Sequence, residues 1–230
     1  MNQRLRITFS ATGPMRYVAH LDTMRTWERA IRRGGLPLVY TSGFSPHARM
    51  ALAAPLPVGV VGLNELMDIW LDPRVEPAEA ARSLGLALPP GLALVAIEEV
   101  SEALPSLQSS LLAARYEAHL PAATDASALR RSVEDLLALE ALDWEEERGE
   151  KTRRYDLRAT IMDLALREDG VLELHLSLAV GRTGRPAQVL RAMGLDAAGT
   201  EIVRTAVELD PGALAAGSAR GGARTAADAP

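Results

Sequence analysis

The densest chemistry-bearing run in this 230-residue sequence is Arg16-Tyr17-Val18-Ala19-His20-Leu21-Asp22, which leads into a segment carrying Arg25, Arg29, Arg32 and Arg33. An aspartate at a helix start caps free N–H groups and suits the dipole, which accounts for Asp22. A neutral histidine beside a helix N-terminus is a candidate general base or phosphate contact, and His20 has that place. A hydrogen-bonded structural histidine is the competing reading. The second run is Tyr40-Thr41-Ser42-Gly43-Phe44-Ser45-Pro46-His47-Ala48-Arg49. Gly43 and Pro46 fix a loop shape, and that loop then carries an aromatic ring, an imidazole and a guanidinium. Such a set can stack on a base and hold a phosphate. Alternatively, Phe44 plugs the core and His47 faces solvent. A third, weaker set comprises Lys151-Thr152-Arg153-Arg154 with Arg158, and Gly181-Arg182-Thr183-Gly184-Arg185. Glycines between arginines leave backbone N–H groups accessible to an anion, although hairpin tips are also basic for solubility alone. The candidate anion- or RNA-binding residues are therefore Arg16, Tyr17, His20, Asp22, Arg25, Arg29, Arg33, Tyr40, Gly43, Phe44, Pro46, His47, Arg49, Arg154, Arg158 and Arg185.

Other chemistries lack their residues. The chain has no Cys, which excludes disulfides, Cys-ligated zinc, iron–sulfur clusters and thiol nucleophiles. His20, His47, His119 and His175 show no metal-ligand spacing, and no nucleotide-binding glycine motif or nucleophile elbow occurs. Neither a metal nor a cofactor is expected. The net charge of −5 argues against a uniformly basic nucleic-acid binder. Residues 1–50, however, hold eight Arg against Asp22 and Glu28, so the basic charge is concentrated there. That asymmetry suggests an anionic partner near the N-terminal part, or pairing of these arginines with the acidic remainder. The start of the chain alternates and lacks the apolar run of a signal peptide, and the run Leu84 to Ile97 is broken by Pro89-Pro90. A soluble, cytoplasmic protein with no membrane association is expected.

These motifs need elements to position them. Residues 3–9 read as a strand with Leu5, Ile7 and Phe9 on one face and Arg4 and Arg6 on the other. Helical spacing over 21–33 ends at Gly34-Gly35. Leu36–Tyr40 and Met50–Ala54 compete for one strand slot, followed by a strand at 66–71, a helix opened by Pro77, and a strand at 92–100. The second half reads as a strand at 115–120, a helix capped by Asp125 or Ser127 and running to about Leu142, strands at 155–166 and 171–180, a short helix from Pro186, and a strand at 201–209. Both halves reduce to β-α-β-β-α-β. The expected class is α+β: two tandem ferredoxin-like halves with antiparallel sheets. They occupy 1–100 and 115–210, with a linker at 101–114 and a disordered tail at 211–230.

The block from Arg4 to Pro57 carries a resemblance. Arg16-Tyr17-Val18-Ala19-His20-Leu21-Asp22, then Trp27-Glu28-Arg29-Ala30-Ile31-Arg32-Arg33-Gly34-Gly35-Leu36-Pro37, then Gly43-Phe44-Ser45-Pro46-His47, resembles the radical SAM-linked proteins, also known as domain of unknown function 2344. The likeness covers most of residues 3–210. It departs where members often have Pro at Ala48 and Lys at Ser10 or Ala11. The resemblance implies association with a B12-binding radical SAM protein encoded nearby or fused, often near ribonucleases of the E/G type. It implies no reaction. A radical SAM enzyme needs three Cys for its cluster, so this chain would be the accessory half.

Three functions follow as expectations. The first is a non-catalytic accessory module that binds or presents tRNA or rRNA to a radical SAM partner. The second is a metal-independent endoribonuclease with His20 as general base and Arg16 or Arg25 on the phosphate. The third is a module that docks only the radical SAM protein, through its arginines.

Overall fold

The computed structural model describes residues 2–122, 124–149, 151–212 and 214. They form two compact units, one of residues 2–111 with 209–212 and 214, the other within residues 112–208. The architecture is mixed α+β, with mostly antiparallel strand pairing and four helices among the described residues. The tail expected to be disordered lies, from residue 215, outside the described residues. No helix among them is long and apolar enough to cross a membrane.

The first unit runs β1 (Gln3–Ala11), α1 (His20–Arg33), β2 (Met50–Leu52), β3 (Val61–Leu71), α2 (Pro77–Ala87) and β4 (Leu92–Val100), with a 3-10 turn at Gly13–Tyr17. The strands lie in the order β2-β3-β1-β4, each pair antiparallel. The competition for the second strand is resolved by the pairing of Met50–Leu52 with Met67–Ile69. Leu38 and Tyr40 form only isolated bridges. The alternation of β1 is physical. Leu5, Ile7 and Phe9 are buried with Met67, Ile69 and Leu71, and α1 covers them with Trp27, Ala30 and Ile31. Phe9 meets Trp27 edge-on at 4.8 Å, a geometry the ring quadrupoles favour.

The opposite face of the same strands is polar and also buried. Arg4, Arg6 and Asp68 are exposed by only 3%, 7% and 0%. Arg6 sits directly across from Asp68 and Arg4 across from Trp70. The Asp68 carboxylate accepts from Arg4 Nε at 2.8 Å and from Arg6 Nε at 2.9 Å. Arg4 also donates to the carbonyls of Leu104 and Pro105, which ties the segment after β4 across this face. Two arginines that read as a basic strand face thus share one buried carboxylate within the fold.

The second unit runs β5 (Leu111–His119), α3 (Ala126–Ala138), β6 (Asp143–Arg148), β7 (Lys151–Asp156), β8 (Ile161–Leu166), β9 (Val171–Ala179), β10 (Arg182–Thr183), α4 (Pro186–Ala192) and β11 (Glu201–Leu209). β9 pairs antiparallel with β5, β8 and β10, and β11 lies beside β5. Several elements differ from the sequence expectation, and α3 ends at Ala138 short of the expected Leu142. The acidic run at 143–148 is a strand, paired with β7 in a hairpin of its own. The single strand expected at 155–166 is two, parted by a 3-10 turn at Arg158–Thr160. β5 also begins at Leu111, four residues before the strand expected there.

Asp125 caps α3, its Oδ1 accepting from the N–H groups of Ser127 at 2.8 Å and Ala128 at 3.2 Å. Those backbone bonds hold its carboxyl below the usual aspartate range. A folded pKa below the unfolded one gives stability that is present above the unfolded value and lost as pH falls through the folded value. Asp125→Asn keeps an acceptor at the cap. It should therefore match the parent protein at neutral pH and show a shallower loss of stability below about pH 4. Urea midpoints measured across that range check this, and an unchanged acid limb would place the sensitivity elsewhere.

Candidate functional site

The arginine-rich helix is amphipathic in the way its spacing requires. Trp27, Ala30 and Ile31 face the core, and Asp22, Arg25, Arg29, Arg32 and Arg33 are exposed. Arg25 pairs with Asp22 at 3.0 Å, a surface pair one turn apart that contributes little and yields readily to an outside anion. Arg29 reaches only Thr26 Oγ1, at 3.3 Å, among its described contacts. Arg33 donates to the Ala87 carbonyl at the end of α2. Just before the helix, Arg16 lies over the Tyr17 ring at 4.8 Å and donates to its hydroxyl. Tyr17 and Leu21 are exposed beside it.

His20 is the first residue of α1. With Arg16, Thr23 and Glu65 it lines a cavity of about 20 Å³ whose other walls are apolar, among them Phe9, Met15, Val18 and Leu56. That volume has room for about one water. Glu65 is buried, and its side chain lies so close to Gly62 that a Cβ there would meet it at 2.7 Å. His47 does not line this cavity.

The loop 41–47 hangs beside α1. Tyr40 OH donates to Glu28 Oε1 at 3.0 Å, which fixes the root of the loop to the helix. Burial, then the Glu28 hydrogen bond and charge, push the phenol above its ordinary pKa, with Arg32 opposing. The loop closes on itself: Thr41 N–H donates to the His47 carbonyl at 2.8 Å, and His47 N–H to Thr41 Oγ1 at 3.0 Å. Gly43 has φ +129°, a backbone region that L side chains rarely adopt. Phe44 is 111% exposed relative to the reference state, so it is no core plug. Pro46 and His47 are exposed with it. Arg49, where the chain re-enters the fold, places its guanidinium over Trp70 at 4.5 Å and 3.7 Å from Glu102.

Residues 4–188 match the family model described as "Uncharacterized protein conserved in bacteria (DUF2344)". The chain belongs to this family. No curated protein matches this DUF2344 member. Among solved structures it is similar to a chain of a Cbf5-Nop10-Gar1 complex, at 11% identity and a TM-score of 0.44, over 88% of this chain and 48% of that one. It thus spans about half the length of that chain. It is also similar to an unknown protein from Galdieria sulphuraria, at 11% identity and a TM-score of 0.27, over 91% and 99%.

In this DUF2344 chain the candidates of the second unit have acceptors of their own. Arg154 pairs with Glu145 at 2.7 Å across the β6–β7 hairpin, and Arg185 pairs with the neighbouring Glu146. Arg158 donates to the carbonyls of Leu137 and Ile161, joining the end of α3 to the start of β8. These contacts make Arg158 a structural tie. Among the candidates, Arg25 and Arg29 lie exposed on α1, Tyr40 is bonded to that helix, and Gly43, Phe44, Pro46 and His47 follow on the exposed loop. Sequence reasoning passed over Glu65, Asp68 and Trp70. An acid inside β3 was visible, but its meaning depended on which strand lay opposite.

Proposed function

We propose that this DUF2344 protein is a non-catalytic accessory module that binds RNA, tRNA or rRNA, and presents it to a radical SAM partner of the B12-binding type. The observation that carries this reading is the joint exposure of Arg25, Arg29 and Arg32 on α1 beside the Phe44 loop, joined by the Tyr40–Glu28 hydrogen bond. Guanidinia track phosphates and aromatic rings stack on bases, a pairing typical of sequence-tolerant RNA grooves. The element order of the first unit supports its reading as a ferredoxin-like half. The order β5, α3, β8, β9, α4, β11 supports the same reading for the second unit, with the β6–β7 hairpin and the short β10 as additions to it. The radical SAM partner comes from the family resemblance of the segments around His20 and Phe44.

The test is an anisotropy titration of the purified chain with bulk tRNA and rRNA fragments at about 50 and 200 mM salt. About three phosphate contacts to single-stranded RNA should weaken binding roughly 20-fold across that range. Absence of binding at the lower salt would overturn the RNA reading in favour of protein docking, with a salt-sensitive pull-down of the radical SAM protein as its own check. Cleavage of the RNA, abolished by His20→Ala without loss of binding, would replace the accessory role with an endoribonuclease.

A further inference from the structure

The tip of the loop bears on the kind of RNA. Phe44 stands wholly in water on a loop closed by the Thr41–His47 bonds. The base of that loop is held. Val39 N–H donates to the Trp70 carbonyl at 2.8 Å, Arg49 N–H to the Val39 carbonyl at 2.7 Å, and Trp70 N–H to the Arg49 carbonyl at 3.2 Å. The Arg49 guanidinium lies over the Trp70 ring at 4.5 Å and that of Arg4 at 5.2 Å. Arg4 is in turn fixed by Asp68. Phe44 is thus carried on a support tied to the buried charges of the sheet.

A ring held out in water on an ordered support loses little further freedom when it stacks. It can stack only on a base with a free face. Bases inside an A-form duplex have both faces covered, and the deep groove does not admit side chains. We propose that Phe44 receives an unpaired, splayed-out base of single-stranded or loop RNA, and that Arg49 and Trp70 are positioning residues that hold the loop without touching phosphate. This deepens, and rests on, the RNA-binding reading above.

The experiment titrates the full chain with a short poly-uridine strand and with a fully paired RNA duplex of matched length. The strand should bind about tenfold more tightly than the duplex. Phe44→Ala should lower strand affinity about tenfold, and Phe44→Trp should restore it. Arg49→Gln should weaken strand binding with no change in the salt slope, and should speed hydrogen exchange at the Thr41 and His47 amides. Equal affinity for strand and duplex, or a neutral Phe44→Ala, would overturn this inference and leave RNA binding standing. A salt slope shallower by about one unit in Arg49→Gln would make Arg49 a phosphate contact and overturn its positioning role. If neither probe binds at low salt, the RNA-binding reading itself falls, and this inference with it.

Discussion

Asp68→Ala should cost about 3–5 kcal/mol of folding stability, the range found when one partner of a buried ion pair is removed. The reason lies in who is left behind. Arg6 directs its Nε and a terminal nitrogen at the two Asp68 oxygens, at 2.9 and 3.1 Å. Arg4 keeps the carbonyls of Leu104 and Pro105, but Arg6 would lose both of its carboxylate bonds while buried. Asp68→Asn should be nearly as damaging, because an amide presents a donor to a guanidinium that only donates. The combined replacement Arg4→Met, Arg6→Leu, Asp68→Leu should recover most of the loss, since an apolar set carries no desolvation penalty. Urea unfolding followed by tryptophan fluorescence measures all three. A loss under about 1 kcal/mol for Asp68→Ala would mean that the guanidinia find water in the variant.

Reversing two charges on α1, Arg25→Glu with Arg29→Glu, should abolish the RNA binding proposed above. Both side chains are exposed on the solvent face of the helix, away from Trp27 and Ile31. The fold should hold, because among the described residues the substitutions break the surface pair with Asp22 and the long Arg29–Thr26 bond, at a cost of a few tenths of a kcal/mol each. For binding, each reversal removes an attraction and adds a repulsion to phosphate. Neutralisation is the gentler control: Arg25→Gln with Arg29→Gln should flatten the salt dependence by about one unit for each lost contact. Anisotropy at several salt concentrations reads both. Survival of the parent affinity in the double reversal at moderate salt would move the site off α1.

Much of the scaffold was legible in the chain because its periods are simple. β1 alternates Leu5, Ile7 and Phe9 against Arg4 and Arg6, and the apolar set is the one under α1. β4 and β11 occupy the spans expected of them, 92–100 and 201–209. Pro77 and Pro186 open α2 and α4, where a fixed φ and a missing N–H do no harm. β6 was missed for the converse reason. Asp143 to Arg148 has no apolar period, and the strand forms because Glu145 and Glu146 meet Arg154 and Arg153 across the hairpin. The break before β8 was hidden because Leu157 and Ile161 are both buried on either side of the turn.

The candidate site divides the same way. Residue types alone named the arginine helix and the Gly-Phe-Ser-Pro-His loop, since charge and aromaticity belong to the side chain itself. Which of those groups face outward was settled by partners far away in the chain. Arg4 and Arg6 look as available as Arg25 and Arg29 in one dimension, yet Asp68, more than 60 residues on, takes the first two. Phe44 read equally well as a plug or a probe until the Thr41–His47 closure turned its ring to water. The linear chain determines what each side chain can do. Strand pairing decides what it has left to do it with, because a guanidinium buried with its donors already spent inside the fold is out of reach of a ligand.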